Sequence, residues 1–520
     1  MSKFFTKSGA AKATALISLT SFLSYVIGFL RDKILAYYFG TSIQTDIYNA
    51  AFVIPDAVFN MFIASALTAA FLPVFTEYLK KDKEEAFKIA NTMLTVSTIF
   101  VASISALLFF FMDEITPLIF SSDEMNAATL QNISTMTKLL LPLPLIFAIS
   151  NTLGNILMSY KHFFSYSISP ILYNLGIITG ILIFHKEYGI YSAATGAVIG
   201  AIFHCLIRII DMFHTEFRPV KSLNIKLKGF KEILTLMIPR SFSLIASSIN
   251  TVIYASIGTK ILIGSFAAYN FARNIQSFAV SLFGIAFSTA IFPFLTASLS
   301  ENDKESFTKD IQKTIQRILF FTVPSMTGMM ILAPEIISLL LGGGQFDENS
   351  INLTSGILFF FAISIPFESL THILTRSFYA LKNTLTPMYI NLISIAINII
   401  ITLKIATKYG VNWFSLGFTI SFIVQVLLLA IFLKKHLTTF DSKKFIKYLL
   451  KLSATCVLMA LSIFFIKIIN LSIDSTSKIL IELVVGGASF FIYSYFMKME
   501  ELKSLNIVIS KILKKGKKYY

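Results

Sequence analysis

The sequence predicts an all-α polytopic membrane protein of about 14 transmembrane helices, built as two parallel six-helix lobes around a central cavity plus two C-terminal helices. Three observations predict it. Apolar runs recur to the end of the 520-residue chain, at 93–112, 171–184, 256–266, 389–403, 415–433 and 479–497. Charged residues collect between the runs with alternating sidedness. The chain also echoes itself after about 220 residues. It is 55% hydrophobic and 14% charged, where a soluble domain carries roughly a quarter charged residues. Runs of about 20 residues match about 30 Å of hydrocarbon at 1.5 Å per helical residue.

Taken in order, the spans fall near 9–38, 47–77, 89–112, 134–159, 165–184, 189–211 and 233–257, then 265–297, 311–341, 353–380, 387–406, 411–433, 445–468 and 477–497. The first opens on a basic stretch, as a signal peptide would. Its apolar pattern continues past Leu30 without a cleavage site, so it reads as a retained span. Lys80, Lys81, Lys83 and Lys88 follow the second span, and Lys161 follows the fourth. Arg208, Arg218, Lys221, Lys226, Lys228 and Lys231 surround the next inner loop. Lys304, Lys309, Lys313 and Arg317, then Arg376 and Lys382, then Lys434, Lys435, Lys443, Lys444 and Lys447 mark the later ones. Alternate loops are neutral or acidic, with Asp113, Glu114, Asp123 and Glu124 in one and Asp347 and Glu348 in another. The positive-inside rule then places both termini in the cytoplasm. It also absorbs the net charge of +16, which in a soluble protein would suggest nucleic acid. Lys511, Lys514, Lys515, Lys517 and Lys518 in the tail read as a topology anchor with weak affinity for anionic lipid heads.

The repeat is carried by three pairs in the same order. The segment around Pro73 echoes that around Pro293. The segment around Pro170 echoes that around Pro387, each with an asparagine one helical turn later, Asn174 and Asn391. The stretch 186–190 echoes 407–411. The predicted organisation is therefore a lobe over 1–220, its repeat over 221–440, two further helices over 441–498 and a basic tail over 499–520. Pro142, Pro144, Pro324 and Pro366 are expected kinks.

Function has to be read from polar groups kept inside the spans, because an ionised side chain at the bilayer centre costs about 3 kcal/mol. Arg31 and Asp32 sit within the first span. They either face a wet cavity, or Arg31 snorkels or pairs only for packing. Asp46 opens the second span, where a helix cap and a functional role are both open readings, and Asp56 follows Pro55. The eighth span holds Arg273 with Asn270, Asn274 and Gln276, Asn270 and Asn274 being one turn apart. Two arginines, one per lobe, suit a phosphorylated headgroup, since guanidinium binds phosphate oxygens bidentately. For Arg273 too, an interhelical hydrogen-bonding role is the alternative. Arg240 is expected near the cytoplasmic end of span seven. Glu368 and Arg376, eight residues apart, are expected to pair. The six histidines and the two cysteines, Cys205 and Cys456, show no metal-ligand spacing, and 341–350 lacks the lysine of a phosphate-binding loop. No cofactor and no catalytic cluster is expected, which disfavours a polytopic glycosyltransferase or lipid phosphatase.

The segments GFLRD, YFG, TDIYNAAFVIPD and AAFLPVFTEYLKK, with YNFARNIQSF, FGIAFSTAIFPFL and TRSFYALKNTLTP, resemble the MurJ (MviN) family of lipid II flippases, within the multidrug/oligosaccharidyl-lipid/polysaccharide exporter superfamily. The resemblance runs over essentially the whole chain. It implies a monomer in the bacterial cytoplasmic membrane that moves undecaprenyl-pyrophosphate-linked peptidoglycan precursor from inner to outer leaflet by alternating access. The headgroup would enter a cationic cavity. The family's cavity arginine maps to Arg31, its neighbouring carboxylate to Asp32, the second-span aspartate to Asp46 and the eighth-span arginine to Arg273. There are departures. Tyr25 stands where a further arginine is expected, 59–66 lacks the charged groups of the second-span motif, and Gln276 replaces a carboxylate. An ion site known in some relatives is incomplete, with Tyr254 and Thr402 in place of carboxylates and Asn398 retained. Asn398, Thr402, Asn174 and Asn391 are the candidate ion or polar-cavity groups. The alternative function is export of another polyprenyl-linked glycan or a small molecule in the same fold.

Overall fold

The computed structural model describes residues 10–62, 65–120, 126–438, 440–469 and 474–502. Asp123, Glu124 and the tail lysines Lys511, Lys514, Lys515, Lys517 and Lys518 lie outside the described residues, as do the side chains of Arg240 and of 62–69. Among the described residues every named element is helical, and the one bridge of strand type is Gly343–Phe346. Contacts divide the chain into two compact units, Met1–Ala267 with Leu341–Ser350, and Ala268–Leu340 with Ile351–Tyr520.

The first unit holds α1 (Ala10–Phe39), α2 (Ile43–Phe62), α3 (Ser65–Lys81), α4 (Lys83–Phe120), α5 (Ala127–Leu140), α6 (Pro142–Ser159), α7 (Phe164–Tyr188), α8 (Tyr191–Met212) and α9 (Lys228–Ile261). Asn126 caps α5 by accepting from the Thr129 N–H at 2.8 Å. The chain breaks at Leu141, and Pro142 starts α6 in the first-turn position that suits proline. Helices α7 and α8 pack backbone to backbone. A Cβ on Gly176 would lie 2.3 Å from the Gly200 Cα, and one on Gly180 would lie 2.6 Å from the Gly196 Cα. Two Gly-x-x-x-Gly pairs therefore supply the close approach that lipid-embedded helices use in place of hydrophobic force. Phe71 and Phe75 stack with centroids 5.1 Å apart and share a core with Ile89, Met93, Ile156 and Phe217. Helix α9, which the repeat assigns to the second lobe, packs on α2, α3 and α4 of this unit.

Arg208 is not a loop residue. It is buried on α8, donating to the Ser150 carbonyl at 2.8 Å, Asn151 Oδ1 at 3.0 Å and Ser169 Oγ at 3.1 Å. One helical turn on, Asp211 takes His162 Nδ1 at 3.0 Å. The polar ends of α6, α7 and α8 are thus tied by hydrogen bonds that satisfy buried groups.

Helix α10 (Ser265–Ala279) begins in the first unit, which runs to Ala267, and the second unit continues through its remainder, a π-helical turn (Val280–Ile285), α11 (Ala286–Ser300), α12 (Lys304–Ile331), α13 (Ala333–Leu341), α14 (Glu348–Ala380), α15 (Leu385–Ile401), a second π-helical turn (Thr402–Ala406), α16 (Thr407–Tyr409), α17 (Asn412–Lys434), α18 (Ser442–Ile468) and α19 (Ser475–Phe496). Asp303, Asp441 and Asp474 cap α12, α18 and α19 through the N–H groups of Ser306, Lys444 and Ser477. Helix α12 turns into α13 at 83°, and Pro334 sits in the first turn of the new helix. The repeat markers adopt like backbones. Lys161 and Lys382 have φ of 62° and 58°, and Gly189 and Gly410 have φ of 52° and 94°.

Ten described helices are long and apolar enough to cross a membrane, or eleven if the bent α12–α13 pair is one span. Eleven of the fourteen expected spans are thus found among the described residues by length and apolarity. The remaining expected spans, α1, α2 with α3, and α9, are helical. Each of them includes residues whose side chains lie outside the described residues.

Candidate functional site: paired arginines on spanning helices

In the first unit, Arg31 on α1 is held by its chain neighbour. Its Nε and Nη2 donate to Asp32 Oδ1 at 3.0 and 2.7 Å, and its Nη1 donates to Asn174 Oδ1 at 3.0 Å. Consecutive helical residues point about 100° apart. The pair forms because the long guanidinium arm curls back, and Asn174 on α7 fixes its far edge. Asn174 is itself oriented by its Nδ2, which donates to the Pro170 carbonyl one turn earlier at 3.1 Å. The Arg31 side chain keeps 25% of its exposure, while Asp32 keeps 8%. Tyr48 and Tyr173 lie within electrostatic range of both Arg31 and Asp56, and Asp56 is exposed.

Asp46 does not join this group. It is buried, and accepts from the backbone N–H groups of Gly264 at 2.6 Å and Ala267 at 2.8 Å. These are orphan donors at the start of α10, so Asp46 caps a helix 218 residues away in sequence. Gly264 fits this contact with φ of 83°, and a Cβ there would meet the Thr41 carbonyl at 2.1 Å. The loop 341–350 covers the same corner. Gln345 N–H donates to the Tyr37 carbonyl at 2.8 Å, and Thr41 Oγ1 donates to Ser350 Oγ at 2.7 Å.

In the second unit, Arg273 on α10 meets Glu368 on α14 in a bidentate pair, Nη1 to Oε2 at 2.9 Å and Nη2 to Oε1 at 2.8 Å. The expected Glu368–Arg376 pair is not made. Eight residues along a helix are about 12 Å, whereas α10 brings Arg273 directly to the carboxylate. Gln276, fully buried, accepts from Arg273 Nη1, and its Nε2 donates to Glu368 Oε2 at 2.8 Å and to Ser364 Oγ at 3.0 Å. Gln276 thus links Arg273 to the carboxylate that α14 carries. Phe418 lies under the guanidinium, with Cζ 4.5 Å from the ring centroid. The close approach of α14 rests on Gly284 in the first π-helical turn, where a Cβ would lie 2.7 Å from the Ser369 Cα. Asn270 is half-buried and Asn274 exposed on the same helix.

The other polar candidates separate. Asn391 Oδ1 accepts from Gln425 Nε2 at 3.4 Å. Asn398 Oδ1 accepts from Thr402 Oγ1 at 3.2 Å, and both pack close to Gly417 on α17. Asn174 belongs with Arg31. No group of three or more His, Cys, Asp or Glu among the described residues could hold a metal ion.

Sequence reasoning missed Glu368 and Ser364 as partners of Arg273. The only signal was an acidic residue inside an apolar span. It also gave no sign of the tyrosines in electrostatic range of Arg31, Tyr48 and Tyr173.

Long apolar helices that retain guanidinium–carboxylate pairs within their spans define a multi-pass membrane protein of the transporter class. A family model described as "Lipid II flippase MurJ" matches residues 35–484. The chain belongs to that family. It is 26% identical over 475 residues to a protein of Borreliella burgdorferi named "Probable lipid II flippase MurJ", covering 91% of this chain and 93% of the relative. A protein of Burkholderia cenocepacia named "Lipid II flippase MurJ" is 23% identical over 401 residues, covering 75% and 77%. The solved structure "Lipid II flippase MurJ, inward closed conformation" superposes with a TM-score of 0.79 at 26% identity, covering 93% of this chain and 99% of that one. An inward-facing multidrug resistance transporter of the MATE family, within the MOP superfamily, shares the fold with a TM-score of 0.68 at 14% identity, over 82% and 98%.

Proposed function

We propose that this chain moves lipid II, a polyprenyl pyrophosphate carrying sugars and peptide, from the inner to the outer leaflet of the bacterial cytoplasmic membrane. The observation that carries the reading is the Arg273 site, a two-pronged guanidinium within a spanning helix whose geometry fits a phosphate as well as a carboxylate. Family membership supplies the substrate. Arg31 and Arg273 each bind phosphate oxygens, and Asp32 and Glu368 keep them charged, oriented and neutralised until substrate arrives. A pyrophosphate therefore competes with an internal carboxylate, which lets the site release its cargo as well as take it. Asn270 and Asn274 hydrogen-bond sugar hydroxyls. The chain acts as a monomer by alternating access, with both termini cytoplasmic, and its two lobes descend from one duplicated unit.

The test is complementation in a bacterium whose own lipid II flippase can be shut off. Outer-leaflet lipid II is followed by cleavage with an enzyme added outside the cell. Wild type restores cleavable lipid II, while Arg31→Ala and Arg273→Ala fail at normal membrane levels. Wild type that is well inserted yet never exposes lipid II assigns the fold to another polyprenyl-linked glycan.

A further inference from the structure

In the first unit, residues 213–227 join α8 to α9 without a helix, yet they are firmly placed. Phe217 is fully buried and meets the Phe87 ring edge-on, with centroids 5.5 Å apart. From there the segment runs as a strap along α4. Glu216 pairs with Lys83 at 2.8 Å, and the Arg218 carbonyl accepts from Asn91 Nδ2 at 3.4 Å. The Val220 N–H donates to Asn91 Oδ1 at 2.8 Å. The Ser222 N–H donates to Thr95 Oγ1 at 3.2 Å, and its hydroxyl meets Thr92 Oγ1 at 2.9 Å. Lys83 to Thr95 is about 18 Å of helix, and Glu216 to Ser222 is about 20 Å of extended chain. Strap and helix therefore advance together in the same direction.

These contacts fix the depth of the strap. At the start of α4, Lys83, Glu84 and Lys88 are exposed and charged. Further on, the exposed large side chains are apolar: Ile99, Phe100, Leu107 and Phe110. Asn91, Thr92 and Thr95 lie between, at the border of water and hydrocarbon. Irregular backbone at that level needs its polar groups satisfied within the protein, and these three side chains do that.

The outward side of the strap is both apolar and cationic. Val220, Leu223 and Ile225 are each more than half exposed, and Lys221, Lys226 and Lys228 are exposed among them. Between 217 and 231 there are five cations and no carboxylate. Aliphatic groups beside ammonium groups at this depth match a layer that is hydrocarbon on one side and anionic on the other. A soluble anion would leave the three aliphatic side chains in water. A protein partner would have to displace the lipid around the neighbouring span.

We propose that residues 220–228 form a docking surface for acidic phospholipids. Val220, Leu223 and Ile225 seat among the first carbons of the acyl chains, and Lys221, Lys226 and Lys228 meet the anionic headgroups. Each lysine contributes about fivefold to the preference for an anionic over a zwitterionic lipid. Neither arginine site takes part, so the inference does not depend on what the chain transports.

The experiment puts a fluorescent reporter in the strap, Leu223→Trp in a Trp413→Phe background of the full chain. The protein is reconstituted in vesicles of phosphatidylcholine and phosphatidylglycerol, in which one lipid or the other carries dibrominated acyl chains. At equal mole fraction, brominated phosphatidylglycerol quenches the reporter more than brominated phosphatidylcholine does. Lys221→Gln, Lys226→Gln and Lys228→Gln together bring the ratio of binding constants to one. Lys221→Arg, Lys226→Arg and Lys228→Arg together keep it, which separates charge from misfolding. Leu118→Trp in the same background, exposed near the other end of α4, shows no preference. A strap reporter that neither lipid quenches lies in water and overturns the proposal. Equal quenching by both lipids overturns it as well, as does a preference that survives the glutamine changes.

Discussion

Removal of Glu368 tests the reading of the Arg273 site most directly. The carboxylate makes both prongs of the pair, at 2.9 and 2.8 Å. At about 4 Å between charge centres and an effective dielectric near 20, the attraction is about 4 kcal/mol. Breaking a buried pair by deleting one partner costs about 3–5 kcal/mol. The Arg273 side chain keeps 27% of its exposure, so water recovers part of that. Glu368→Ala should therefore destabilise by about 2–3 kcal/mol. Glu368→Gln keeps an acceptor oxygen and should cost about 1–2 kcal/mol. The same change strips the site of its internal anion. Added pyrophosphate should then stabilise Glu368→Gln more than wild type, by about 1.4 kcal/mol for each tenfold gain in affinity, and Arg273→Gln not at all. Unfolding can be followed by the single tryptophan, Trp413, which packs on Phe360 and Tyr409 in the same unit. Equal pyrophosphate stabilisation of wild type, Glu368→Gln and Arg273→Gln would refute the reasoning. So would a Glu368→Ala protein that unfolds as wild type does.

Asp46→Ala removes the acceptor for two buried N–H groups at the start of α10 and should cost about 2–4 kcal/mol. Asp46→Asn, which keeps one oxygen, should fall between it and wild type in the same unfolding assay. Gly200→Val forces α8 off α7, because a Cβ there already meets the Tyr173 carbonyl at 2.5 Å. Loss of the folded, detergent-stable fraction on size exclusion is expected, whereas Gly189→Ala, with open space around its Cβ, should cost about 1–3 kcal/mol of strain from its positive φ. Asp347, in the loop ahead of α14, is held below the usual carboxylate range by the Ser350 backbone N–H and hydroxyl. Its native value being depressed, its contribution is complete above the unfolded value of about 3.9 and disappears as pH falls through the lower native value. Asp347→Ala should lose that part of the acid limb in a stability-against-pH series and be less stable than wild type at neutral pH.

Helical class and membrane embedding were legible in the chain, because each is written in local pattern. A run of apolar residues must be helical in lipid, as no water is present to take its backbone groups. The lysine clusters between runs need no tertiary information. The paired sequences around Pro170 and Pro387 likewise announce Asn174 and Asn391. The two Gly-x-x-x-Gly stretches of α7 and α8 were also present in the sequence, and their spacing suffices to suggest a close helix contact.

What the sequence determined by itself was therefore that the chain is helical and multi-pass, and which few polar groups its apolar segments carry. Only the tertiary structure decided the partners of those groups. Glu368 is 95 residues from Arg273 and Asp46 is 218 from Gly264. Nothing local distinguishes a carboxylate that will meet a guanidinium from one that will cap another helix. In each case the choice rests on backbone proximity, at Gly284 against Ser369 and at Gly264 against Thr41. A buried charge must be satisfied by whichever group the packing brings within about 3 Å, and packing is a property of the whole fold.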